Sequence, residues 1–303
     1  MSNVSEYLDV IVVGGGPAGL SAALVLARAR RRVLVVDAGN PRNAASNAMH
    51  GFLSRDGMPP REFLKLARED VRHYGVELRE GSVEDIRPCD TGFEVSLGNG
   101  ADLHSRKVLL ATGVVDRVPQ LNGIEKFYGK SVHHCPYCDG WEHRDGRVAA
   151  YGNGKAGAML SIKLKIWTED VVLCTDGPSR IPEPQRGRLA RLDVRVIEKK
   201  IARLDGVPPQ LERIVFEDGT ALDRTGMFFG TGNAQRSDLI SRLGCDMTRK
   251  GAARISRGQR STVPGVFICG DAAEDSQYVI VAASHGARAA MAINQDLLEE
   301  DLR

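Results

Sequence analysis

Residues Tyr7 to Gly39 read "YLDVIVVGGGPAGLSAALVLARARRRVLVVDAG". An apolar run, Val10 to Val13, enters a glycine-rich turn. An Ala/Leu-rich stretch follows, then a second apolar run, Val33 to Val36, ending in Asp37. Continuous apolar runs of this length suit strands buried on both faces of a parallel sheet. Glycines at 14, 16 and 19 permit a tight turn and the close approach of a pyrophosphate to a helix N-terminus. An acid about 20 residues on can accept a ribose hydroxyl. Strand, turn, helix, strand and acid stand in dinucleotide-binding order. Gly14, Gly16, Pro17, Ala18, Gly19 and Asp37 are therefore the first candidate cofactor contacts.

The pattern recurs in "RVAAYGNGKAGAMLSIKLKIWTEDVVLCTDG", Arg147 to Gly177, with Gly152, Gly154 and Gly157 in the turn and Asp176 after the second strand. Each copy is followed by a stretch that ends alike, "GNGADLHSRKVLLATG" and "EDGTALDRTGMFFGTG". Gly100 to Gly113 and Gly219 to Gly232 are both separated by 13 positions. Such a repeat predicts an α/β fold of two Rossmann-like, three-layer ββα domains. Beyond the second copy, a strand from Gly265 to Cys269 meets Gly270-Asp271, where an acid beside a glycine can reach a cofactor sugar or pyrophosphate. A small-residue helix begins near Gln277, and its N-terminus favours negative charge on a ring. The first domain is thus expected to be discontinuous, residues 1–117 plus 248–303, with the second, 118–247, inserted.

Composition narrows the function. The chain has 303 residues, 42% hydrophobic and 26% charged, with net charge +2, which points to neither nucleic acid nor a membrane surface. The run Arg28 to Arg32 reads as a helix C-terminus, where cations suit the dipole. No segment reaches the roughly 20 apolar residues of a membrane helix, and no leader pattern opens the chain. A cytoplasmic location is expected. Six cysteines are too sparse for a disulfide scaffold, so Cys135-x-x-Cys138 reads as redox-active or metal-binding. Zinc requires four ligands, and Cys89, Cys174, Cys245 and Cys269 stand alone, so no metal is expected. His133 and His134 read as neighbours of the dithiol, with proton shuttling the alternative role.

With these residues assembled, the chain resembles the low-molecular-weight thioredoxin reductase family of flavoprotein disulfide reductases over essentially its full length. The resemblance rests on Gly14-x-Gly16-x-x-Gly19, Ala111-Thr112-Gly113, Cys135-Pro136-Tyr137-Cys138-Asp139-Gly140, Gly152-x-Gly154-x-x-Gly157 and Gly270-Asp271. It implies FAD in the first domain, a nicotinamide nucleotide in the second, a homodimer, and rotation of one domain against the other. It implies further that Cys138 lies nearer the flavin, that Cys135 attacks the substrate disulfide, and that Asp139 gives and takes thiol protons.

Two departures qualify the resemblance. The His-Arg-Arg cluster that clamps a 2′-phosphate in the family falls here on Thr175, Asp176 and Gly177, and Asp176 repels that dianion. NADH is accordingly favoured over NADPH; a second FAD, or an idle slot fed by ferredoxin, are the alternatives. The loop "AGNPRNAASNAMHGFLSRDG" after Asp37 also differs from typical reductases. It resembles that of FAD dithiol oxidases that close disulfides in small molecules and pass electrons to oxygen. Arg42, Asn43 and His50 are its candidate flavin neighbours, and Gln277 another. The expected function is FAD-dependent thiol–disulfide exchange on a thioredoxin-like protein or a small dithiol or disulfide. Dithiol oxidation by oxygen is the enzymatic alternative, and a redox sensor the non-enzymatic one.

Overall fold

The computed structural model describes residues 7–273 and 276–303. The chain forms two compact units. One holds residues up to Ala44, Gly51–Val115 and Ala234–Arg303; the other holds Ala45–His50 and Asp116–Asn233.

The first unit opens with β1 (Leu8–Val13), α1 (Pro17–Arg28), β2 (Val33–Asp37), α2 (Pro60–His73) and β3 (Glu77–Glu80). A meander follows, β4 (Val83–Cys89), β5 (Gly92–Leu97) and β6 (Asp102–Leu110), and the chain leaves through β7 (Val114–Asp116). β1, β2, β3 and the second half of β6 pair in parallel, Val12 facing both Val35 and Leu109. The first half of β6 pairs antiparallel with β5. Alternate residues of β1 serve opposite faces: Val10 and Val12 pack with α1, while Ile11 and Val13 pack with Val95 and Leu110. Each such burial contributes about 1.5–3 kcal/mol, more than an exposed ion pair.

The second unit contains β8 (Val132–His133), α3 (Pro136–Asp139), β9 (Val148–Tyr151), α4 (Gly154–Leu164), β10 (Val171–Cys174), α5 (Glu183–Arg191) and β11 (Arg195–Ile197). Its meander is β12 (Ile201–Asp205), β13 (Arg213–Phe216) and β14 (Ala221–Asp223), before β15 (Gly226–Phe229) and the exit strand β16 (Asn233–Gln235). The parallel sheet runs β11-β10-β9-β15-β8. Its first four strands match the order β3-β2-β1-β6 of the first unit, as the sequence repeat predicts.

The return to the first unit differs from the expected boundary at 248. The short helix α6 (Leu239–Arg242) already belongs there, because Leu239, Ile240 and Cys245 bury among Ile11, Val95 and Ile268. β17 (Val266–Ile268) then extends the sheet beside β6, and the long helix α7 (Val279–Asp301) packs on α1. That packing needs Gly286: a Cβ there would stand 1.9 Å from the Ala18 carbonyl oxygen. Among the described residues no helix is long and apolar enough to cross a membrane.

Candidate functional site

In the first unit the predicted contacts gather around the start of α1. Gly14 adopts φ +109°, and a Cβ on it would collide with the Ala111 carbonyl at 2.4 Å, so only glycine lets β1 turn beside the end of β6. Gly16 caps α1, Pro17 opens it, and its first turn carries no acid, leaving the positive end of the helix for an anion. Asp37 lies over Gly15, where a Cβ would come within 2.7 Å of its carboxylate. Gly270 rests on Ala18, and Asp271 beside it accepts a hydrogen bond from Arg42 at 2.9 Å. Thr112 Oγ1 is buried without a hydrogen-bond partner in the protein, between Ala111 and Gly113. An orphaned hydroxyl, a helix start with no side-chain cap and an acid at the strand end fit the phosphates and ribose of FAD.

Asn43 is half-buried on the same loop as Arg42. His50 belongs with the second unit instead, its Nε2 lying 3.5 Å from Glu142, because Ala45–His50 crosses over to it. Gln277 precedes α7 rather than opening it; Tyr278 is the cap and Val279 the first helical residue. One participant went unread in the sequence. Arg68 of α2 donates to Asp37 at 2.8 Å. It shares a helix face with the buried Leu64 and Val71, and that spacing was the available signal.

In the second unit Cys135 and Cys138 are joined as a disulfide. Cys135 is extended and caps α3, its Sγ accepting the Cys138 N–H at 3.2 Å. The same N–H would favour a thiolate on Cys135 once the bond opens. Tyr137 and Trp141 beside the pair are exposed, and Tyr137 stands edge-on to Trp167.

The two adjacent histidines turn opposite ways, as successive residues of an extended segment do. His134 Nδ1 lies 3.2 Å from the Tyr128 hydroxyl, and its Nε2 lies 3.7 Å from Asp116. His133 is buried, with Nδ1 3.2 Å from Asp139 Oδ1 and Nε2 3.0 Å from His143 Nε2. Burial, and next the neighbouring His133, push His143 down to about 4, against the opposing pull of Asp139. His143 is the second participant missed in the sequence. Among the described residues no group of three or more His, Cys, Asp and Glu side chains converges as a metal site.

The second glycine turn is held by the protein itself. A Cβ on Gly157 would meet the Gly152 carbonyl at 2.5 Å, so helix packing alone requires that glycine. Asn153 caps α4, its Oδ1 accepting the N–H groups of Gly154 and Arg180, both at 2.7 Å. Its Nδ2 donates to the carbonyls of Thr175 at 3.2 Å and Pro178 at 3.0 Å. Asp176 was expected to face a ribose. Its backbone instead takes φ +53°, and its carboxylate accepts the Ile201 N–H at 2.9 Å and the Tyr151 hydroxyl at 3.3 Å. Burial, with the Asp176 charge second, pushes the Tyr151 hydroxyl up to about 12, so it stays a donor.

The profile of the family described as "Pyridine nucleotide-disulphide oxidoreductase" matches residues 8–287. A "Probable thioredoxin reductase" of Arthroderma benhamiae is 32% identical, covering 96% of this chain and 81% of its own. "Thioredoxin reductase aclD" of Aspergillus oryzae is 29% identical, covering 97% of each. Among solved structures, that of HlmI superposes with a TM-score of 0.94 at 37% identity, covering 98% of this chain and 94% of HlmI.

Proposed function

The chain belongs to the pyridine nucleotide-disulphide oxidoreductase family and is a flavoprotein disulfide oxidoreductase of the thioredoxin reductase type, and from that premise we propose how its residues work. FAD is held in the first unit by Gly14, Gly16, Pro17, Ala18, Gly19, Asp37, Ala111, Thr112, Gly113 and Gly270, with the Arg42–Asp271 pair, Asn43 and Gln277 nearby. When bound, it supplies the two-electron exchange with the Cys135–Cys138 pair. The single observation that carries this reading is that disulfide, followed directly by a carboxylate that touches a buried imidazole.

The exchange runs on the chain's own atoms. The Cys135 thiolate attacks one sulfur of a substrate disulfide, forming a mixed disulfide and releasing the other sulfur as a thiolate. Asp139 gives that thiolate a proton. Cys138 then attacks Cys135 Sγ, so the internal disulfide re-forms and the second substrate sulfur leaves. The substrate gains two electrons and the dithiol loses them. A thioredoxin-like protein or a small disulfide fits this chemistry, and the exposed Tyr137 and Trp141 offer either an apolar contact. The enzyme acts in the cytoplasm as a homodimer.

NADPH is not its preferred reductant. The lack of a His-Arg-Arg cluster at Thr175, Asp176 and Gly177, together with the clamp of Asn153, supports NADH, or else ferredoxin or a second flavin. The same clamp favours a second reading, in which a substrate dithiol is oxidised, oxygen takes the two electrons and two protons, and peroxide leaves. Anaerobic titration of the yellow protein with each nucleotide separates the readings. Bleaching by NADH alone supports the reductase, whereas bleaching by NADPH at an equal rate overturns the exclusion. Bleaching by neither, together with oxygen uptake on adding dithiothreitol, selects the oxidase.

A further inference from the structure

The groups behind Asp139 form a chain of three side chains from three elements. His133 ends β8, Asp139 ends α3, and His143 ends the 3₁₀ turn Trp141–His143. The contacts are 3.2 Å from Asp139 Oδ1 to His133 Nδ1 and 3.0 Å between the two Nε2 atoms. The surroundings are built around the rings. Phe228 of β15 packs on both imidazoles, with centroids 5.3 Å and 5.5 Å away. Gly226, on the same strand, has no side chain where a Cβ would come within 2.5 Å of His143 Nδ1. No left-handed backbone demands glycine there, so room for the His143 ring explains it.

Hydrogen-bond logic fixes the protons. Two imidazoles meeting Nε2 to Nε2 require one donor and one acceptor. Across the 3.2 Å contact an ionised Asp139 can only accept, which places the His133 proton on Nδ1. Its Nε2 is then an acceptor, and His143 must donate from Nε2. Burial holds His143 neutral at working pH, so it keeps that single-donor form. The charges acting on it come from His133 and Asp139. Glu142 on the same turn lies at His50, Tyr137 of α3 packs on Trp167, and β15 presents Gly226 and Phe228.

We propose that His143 and His133 are positioning residues that lock the imidazole tautomer facing Asp139, and thereby orient that carboxylate and set the pH range of thiol–disulfide exchange. The proposal rests on the exchange reading above and deepens it. No proton leaves the chain in the resting state. Asp139, ionised beside the resting disulfide, takes up a proton when the dithiol forms; when it gives that proton to a leaving thiolate, the His133 Nδ1–H is already in place to hold the resulting carboxylate. The role is that of the third group in a nucleophile–base–orienter arrangement, moved onto an acid.

The first test is direct and needs no variant. Imidazole ¹⁵N shifts of the full-length flavoprotein at neutral pH should show a protonated Nδ1 on His133 and a protonated Nε2 on His143. A protonated Nδ1 on His143 would overturn the proposal. The second test is the pH profile of disulfide exchange by the dithiothreitol-reduced enzyme. His143→Leu removes the donor, should lower kcat roughly tenfold with KM unchanged, and should move the alkaline limb upward by about one pH unit. His143→Gln, whose amide can donate from the same place, should restore the profile to within about twofold. A folded His143→Leu enzyme with an unaltered profile, or a His143→Gln as impaired as His143→Leu, contradicts the assignment. Cys135→Ser serves as the control for the underlying reading: retained exchange there would remove that reading, while the nitrogen shifts would still report the tautomers.

Discussion

Asp176 Oδ1 accepts the backbone N–H of Ile201 at 2.9 Å, which ties the end of the nucleotide-type turn to the first strand of the second meander. A carboxylate so engaged is a structural pin. Asp176→Ala leaves a part-buried amide without its acceptor and places alanine in a left-handed backbone, so it should lower unfolding stability by about 1–2 kcal/mol in a urea titration. Asp176→Gly, free of the backbone strain, should be the milder change. Neither should gain rapid flavin bleaching by NADPH, because removing the acid supplies no phosphate-binding cations. An Asp176→Ala enzyme reduced by NADPH as fast as by NADH would show that Asp176 alone set the preference.

The division of labour between the cysteines has its own test. Cys138→Ser leaves Cys135 able to form the mixed disulfide but unable to resolve it. That variant should trap an adduct with a linear disulfide such as 2-hydroxyethyl disulfide or with a thioredoxin-like substrate, visible as added mass that a reductant removes. Cys135→Ser should trap none, and both should lose turnover by at least about a hundredfold. Equal trapping by the two variants would mean that either sulfur attacks substrate.

Arg68 gives a third outcome. Its hydrogen bond to Asp37 holds the acid over the glycine turn. Arg68→Ala leaves the carboxylate free to rotate, and retention of FAD should weaken roughly tenfold, a cost of about 1.4 kcal/mol, measured as flavin passing through a filter. Arg68→Lys should lie between, since a single ammonium restores charge without the planar fork. Unchanged retention in Arg68→Ala would make the pair a surface contact only.

These residues also show where sequence reading reaches its limit. Gly14, Gly19 and Gly157 were legible because backbone collisions at 1.9–2.5 Å admit no side chain, and steric demands of that kind leave a fixed spacing. The repeated unit was legible for the same reason, together with its buried strands. Cys135, Cys138 and Asp139 are contiguous, so their grouping needed no tertiary information. His143 was not legible, since only the pairing of β8 with β15 and the turn after α3 bring it to His133. Asp176 was legible only in part. An acid after a strand reads as a sugar ligand, and nothing in its neighbours announces the φ of +53° that turns it inward.

The imidazole pair, His133 buried and His143 half-buried, makes stability depend on pH. His143 is pushed down to about 4 in the folded protein, while an unfolded histidine titrates near its ordinary 6.5. Between those values the unfolded chain binds a proton that the folded chain does not, so stability rises with pH across the window. The contribution is complete above about 6.5 and is lost as pH falls toward 4. From the size of the shift it amounts to about 3 kcal/mol. Carboxylates titrate in the same range, so the wild-type curve alone does not isolate the term. His143→Gln does, because it preserves the hydrogen-bond donor and removes the titration. Urea unfolding at pH 7.5 and at pH 4.5 should show the wild type losing more stability than His143→Gln on acidification. Equal losses in the two proteins would mean that His143 accepts its proton in the folded state as readily as in the unfolded one.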